Sequence, residues 1–124
     1  MIPIGIIVDM GGVMNSLTYE ELKEVYDGDR NLGDKPIVIY FHATWCGPCK
    51  MFSPIVESVS EEYKSKVDFY KVDSEDQPDL TYMFQVRSIP TLVMIPITGE
   101  TTMSPGALNE DTLKYFIEGL IRKK

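Results

Sequence analysis

The sequence predicts one α/β domain, and three observations predict it. Pro36 to Ala43 reads PIVIYFHA, a dense apolar run rich in β-branched and aromatic residues, the pattern of a strand covered on both faces. Phe52, Ile55, Val56, Val59 and Tyr63 then recur at helical spacing, which marks a long amphipathic helix. Val67 to Val72 is a second strand of the buried type.

The remaining elements follow in chain order. Residues 1–16 form an N-terminal extension, and Ile4 to Asn15 has room for one or two short strands. Leu17, Thr18 and Glu21 open the first clear helix. Thr18 is a good N-cap, Glu21 at N3 completes a capping box, and Leu17 can staple to Leu22. Leu22, Val25 and Tyr26 give this helix one apolar face. Gly28 to Lys35 is a polar loop. Pro54 lies inside the long helix and is expected to kink it. Gln77-Pro78 starts a short helix with proline at its first position, and Leu80 and Phe84 face the core. Thr91 to Ile95 is a third strand. Gly99 marks a hairpin turn into a short strand near Thr101 to Met103. Asn109 caps the last helix, with Glu110 and Asp111 well placed in its first turn. Leu113, Phe116, Ile117, Leu120 and Ile121 form its buried stripe, and Arg122, Lys123 and Lys124 complement its C-terminal dipole.

Bulk properties narrow the function. A chain of 124 residues with 44% hydrophobic and 25% charged residues has the profile of a folded globular domain. Its formal net charge of −7 opposes binding to a nucleic-acid backbone or an anionic membrane surface. No apolar run is long enough to span a bilayer. The start, Ile2 to Val8, lacks a basic n-region and an obvious cleavage site. The cytoplasm is therefore the expected compartment, with the periplasm or cell envelope as the alternative for a chain whose leader has been removed.

The two cysteines, Cys46 and Cys49, are the most informative residues. A structural staple gains by closing a long loop, and this pair closes almost none. Two thiols and one histidine are too few for a closed zinc site, so no metal is expected. Redox chemistry remains. Disulfide exchange needs a thiolate, and the pair lies where a strand ends and a helix begins. Backbone N–H groups and the positive dipole end of that helix favour an anion on Cys46. Cys46 is thus expected to attack, and Cys49, one turn on and deeper, to resolve. Gly47 lets a partner approach closely. Pro48 stiffens the turn and starts the helix without wasting a donor. Trp45 adjoins the thiols and offers a flat apolar rim.

Ala43 to Met51, ATWCGPCKM, resembles the active-site signature of the thioredoxin family. Pro54 falls where that family kinks its second helix, and Lys71 opens a segment similar to its KVDVD-type strand end. Arg87-Ser88-Ile89-Pro90-Thr91 resembles its cis-proline loop, and Gly106-Ala107 its glycine-alanine pair before the last helix. The match covers about Leu17 to Ile121, within a domain spanning residues 17–124.

The resemblance implies a central mixed sheet flanked by four helices, and a monomeric protein-disulfide reductase with no bound cofactor. Its partners would be protein disulfide substrates, with a flavin-dependent thioredoxin reductase as electron donor. It also implies that Pro90 follows a cis bond and sits against the sulfurs. The Ile89 backbone would hydrogen-bond an extended substrate. Trp45, Pro48, Ile89 and Ala107, with Pro90 and Gly106, would rim a shallow docking surface. Two positions depart from the family pattern. Tyr40 stands where thioredoxins carry a buried Asp that helps deprotonate the second cysteine, and Lys71 would ordinarily face that Asp. His42 shares a strand face with Tyr40. It can accept a proton in the Asp's place or simply fill space, and Lys71 can reach solvent. Rival functions are an envelope thiol–disulfide interchange protein and a redox-idle binding subunit of the same fold.

Overall fold

The computed structural model describes residues 14–123. Most of the Ile4–Asn15 stretch, where the sequence admits short strands, lies outside the described residues. Asn15 itself begins β1, Asn15–Ser16, which pairs in parallel with β3, Asp68–Asp73. β3 also pairs in parallel with β2, Ile37–His42. β4, Thr91–Ile95, pairs antiparallel with β2, and β5, Thr102–Pro105, antiparallel with β4. The sheet order is β1-β3-β2-β4-β5, so β2 is central. The helices among the described residues are α1, Tyr19–Val25; α2, Gly47–Glu62; α3, Pro78–Met83; and α4, Glu110–Arg122. The mixed sheet flanked by four helices is the expected architecture.

Local chemistry accounts for the helix ends. The Thr18 hydroxyl accepts the Glu21 N–H while the Glu21 carboxylate accepts the Thr18 N–H, so two orphan donors of α1 are satisfied at once. Leu17 and Leu22 are buried in one cluster, as a hydrophobic staple requires. The Asn109 side chain accepts the Thr112 N–H at the start of α4. α2 continues across Pro54 to Glu62. β5 begins and ends later than the Thr101–Met103 reading; its mostly exposed side chains give little alternation by which to fix its ends.

Alternation along β2 sends side chains to two packed layers. Val38 and Tyr40 join Phe52, Val56 and Val59 of α2 and Leu113, Ile117 and Leu120 of α4. Ile37, Ile39 and Phe41 join Leu22 of α1 and Leu80 of α3. Burying each large aliphatic chain contributes about 1.5–3 kcal/mol relative to exposure. Both layers close over β2, whose C-terminal end therefore emerges from a fully packed sheet at the cysteines.

Candidate active site

β2 stops at His42, and a turn carries the chain into α2. The Cys46 N–H donates to the Ala43 carbonyl at 3.3 Å, which throws Thr44 and Trp45 outward. Trp45 is 63% exposed. Cys46 is the N-cap of α2, and its sulfur accepts the Cys49 N–H at 3.2 Å. Pro48, in the second helical position and not the first, brings no N–H of its own. Among the usual capping donors, Cys49 is then the one left for the Cys46 sulfur. The two cysteines form a disulfide with Cα atoms 5.3 Å apart.

The expectation that Cys49 lies deeper than Cys46 is not met, because each is 3% exposed in the disulfide form. What distinguishes the sulfurs is the helix terminus. The Cys46 sulfur receives the end of α2, whereas Cys49 lies inside its first turn. Gly47 and Pro48 are exposed, and nothing lies within 4 Å of a side chain at Gly47, so a partner can approach there.

The residues expected to form a rim come from three loops. Ile89 packs against Ala43, Cys46 and Cys49. The Ile89–Pro90 bond is cis, and Pro90 is buried. The Pro90 carbonyl accepts the Gly106 N–H at 2.8 Å, which ties the loop before β4 to the loop after β5. Gly106 has φ +93°, a left-handed conformation open to glycine at little cost. Ala107 beside it is exposed.

Two contacts in the site are not foreseen from the sequence. The Trp45 indole N–H donates to the Glu75 carboxylate at 2.6 Å. Glu75 sits in a turn where the Asp73 carboxylate accepts the N–H groups of Glu75 and Asp76 at 3.0 and 3.3 Å. The available signal is topological: β2 and β3 run parallel in register, with His42 opposite Asp73, so the segments after both strands emerge at one end of the sheet. The second contact joins the Tyr40 hydroxyl to the Ser53 hydroxyl at 2.7 Å. A buried tyrosine needs such a partner, and Ser53 adjoins the buried Phe52 on α2.

Tyr40 is 1% exposed. It stacks on His42 with ring centroids 5.3 Å apart and meets Phe52 edge-on. Burial pushes the Tyr40 hydroxyl above its ordinary pKa, opposed by the bond to Ser53 and reinforced by Glu57. Burial pushes the His42 imidazole below its ordinary value; Asp73 opposes this and Lys71 adds to it. The neutral imidazole is thereby favoured. Lys71 lies opposite Tyr40 in the β2/β3 register. It is half-buried and makes no ion pair among the described residues. Also among the described residues, no cluster of metal-ligating side chains occurs, and no helix is long and apolar enough to cross a membrane.

Comparison with known proteins agrees with this geometry. The family model for thioredoxin matches residues 18–119. A thioredoxin of Borreliella burgdorferi is 45% identical over 86 residues, covering 69% of this chain and 74% of the relative. Thioredoxin-2 of Saccharomyces cerevisiae is 43% identical over 92 residues, covering 74% and 86%. The crystal structure of a thioredoxin from Malassezia sympodialis superposes with a TM-score of 0.75 at 34% identity, covering 89% of this chain and 92% of that one.

Proposed function

The chain belongs to the thioredoxin family, and from that premise we propose that Cys46 is its attacking thiolate and Cys49 its resolving thiol. The activity is that of a protein-disulfide reductase, exchanging its dithiol for a disulfide in protein substrates. The observation that carries the assignment is the capping bond: the Cys46 sulfur sits on the N-terminus of α2 and accepts the Cys49 N–H. In the reduced protein the same N–H and the positive end of the helix favour a thiolate on Cys46.

The cycle balances with the two thiols alone. The Cys46 thiolate attacks one sulfur of the substrate disulfide, giving a mixed disulfide and one substrate thiolate. Cys49 loses its proton and attacks the Cys46 sulfur. The Cys46–Cys49 disulfide forms and the second substrate thiolate leaves. Two electrons have passed to the substrate. A thioredoxin reductase restores the dithiol. The reducing poise of the cytoplasm suits this direction of flow, and the chain acts as a monomer.

Trp45, Gly47, Pro48, Ile89, Pro90, Gly106 and Ala107 form the docking rim in this reading. Its support is that Ile89 packs on the cysteines and that Gly106 is tied to Pro90. Tyr40, His42 and Lys71 are supporting residues that fill the space behind the site, and solvent takes the proton from Cys49. Cys49→Ser is expected to trap mixed disulfides with substrate proteins, and Cys46→Ser to trap none. Trapping by Cys46→Ser would reverse the roles. Insulin reduction by the unaltered chain separates a working reductase from a redox-idle binding subunit.

A further inference from the structure

A groove of about 460 Å³ runs between β5 and α4. Its β5 wall consists of Thr102, Met103, Ser104 and Pro105, four consecutive residues. Met94 of the neighbouring strand β4 lines it as well, so the groove opens on the α4 face of the sheet, alongside β5. Among the described residues β5 is the terminal strand of the sheet, so along that edge its backbone donors and acceptors have no strand partner there.

The α4 wall has an unusual residue at its centre. Gly119 lies inside α4 and lines the groove. Glycine weakens a helix interior relative to alanine and is usually kept there for close packing or a left-handed φ. Neither applies, since its φ is not among the positive ones and nothing lies within 4 Å of a Cβ placed on it. The missing side chain leaves an opening in the helix wall. Tyr115 beside it is 70% exposed and Met103 across the groove 42% exposed, so the apolar surface there is open to solvent.

Charge narrows the occupant. Arg122 and Lys123 line the end of the groove and make no ion pair among the described residues. The chain as a whole carries −7, so a cationic rim on an apolar channel runs against the background. The open strand edge favours a peptide over a lipid chain, and the cationic rim favours an acidic one. We propose that the β5–α4 groove binds an extended, acidic segment of a partner protein. The segment adds as a strand to the outer edge of β5, places an apolar side chain in the opening at Gly119, and sets a carboxylate against Arg122 and Lys123. No step of this binding uses the sulfurs.

The test uses the full chain and a labelled, cysteine-free octapeptide of alternating valine and glutamate, followed by fluorescence anisotropy and amide resonances. Saturable binding is expected, with shifts at Thr102 to Ser104 and none at Gly47 to Lys50. Gly119→Leu fills the opening and should weaken binding about tenfold, as should the double variant Arg122→Glu with Lys123→Glu. Both should still reduce a small aromatic disulfide at the unaltered rate, which shows that they fold. Gly119→Ala should raise the melting temperature by about 2–4 °C. The proposal is overturned if the glutamate peptide fails to bind or a lysine counterpart binds as well. It is equally overturned if Gly119→Leu binds normally, if Gly119→Ala melts lower, or if the groove proves to be the interface of a dimer of this chain.

Discussion

The two faces of β2 share one backbone and differ in chemistry. Toward α1 and α3 the strand presents Ile37, Ile39 and Phe41, all buried and apolar. Toward α2 and α4 it presents Val38, then Tyr40 with its hydroxyl on Ser53, then half-buried His42 beside Asp73 and Lys71. Polarity therefore rises along one face as the strand approaches the cysteines and stays absent on the other. One face holds the fold. The other holds the fold and carries the polar side chains Tyr40 and His42.

Substitutions can break or sharpen that contrast. Phe41→Ala opens a cavity on the apolar face, where Phe41 also meets Phe84 edge-on, and should cost about 3–5 kcal/mol in denaturant unfolding. The rate of mixed-disulfide release by the folded fraction should not change. A changed rate would mean that the faces are coupled. Tyr40→Asp should destabilise by about 3 kcal/mol at pH 7, since it removes aromatic packing and buries a carboxyl. It should also speed the resolving step by restoring the carboxyl that the family pattern carries at this position, measured by rapid-quench kinetics. If the variant is more stable than the parent, position 40 is not the tightly packed site described above.

Tyr40→Phe isolates the hydroxyl. It keeps the ring and should lose about 1 kcal/mol through the orphaned Ser53, with resolution unaffected. The smallest effect is expected at His42. Its folded pKa lies below the unfolded value, so the unfolded chain binds the extra proton. Stability from this source is present above the unfolded pKa, near 6.5, and is lost as pH falls through the folded value. His42→Gln should flatten unfolding free energy against pH below about 6.5 and leave resolution unchanged. Slower resolution in that variant would make His42 the proton acceptor.

The parts of the fold that were legible in the sequence are those set by local chemistry. The Thr18–Glu21 capping box, the Asn109 cap and the β4 span depend on neighbours within a few residues, and each is found where the sequence places it. β1 pairs over two residues, too few for any periodicity to show. β5 is a polar edge strand without a buried face to enforce alternation. In the site, Cys46, Cys49, Ile89 and Pro90 are recognisable because their motifs carry fixed geometry. Glu75 and Ser53 are not, because each meets its partner through the assembled sheet and helix: 30 residues separate Trp45 from Glu75 and 13 separate Tyr40 from Ser53. The equal burial of the two sulfurs was also illegible, since helix position ranks donors but not accessibility.

In the proposed cycle the capping bond gives Cys46 two jobs, fastening the start of α2 and carrying the reaction. Removing the sulfur altogether, as alanine does, would loosen the first turn that carries Cys49 and the exposed Gly47-Pro48 segment. An inactive alanine variant would therefore confound lost chemistry with a frayed helix. Serine is among the best residues for the capping position, so Cys46→Ser keeps the fastening and deletes only the thiol. The two replacements should differ in melting temperature although both are inert, and that difference is a direct reading of how much of the nucleophile is architecture.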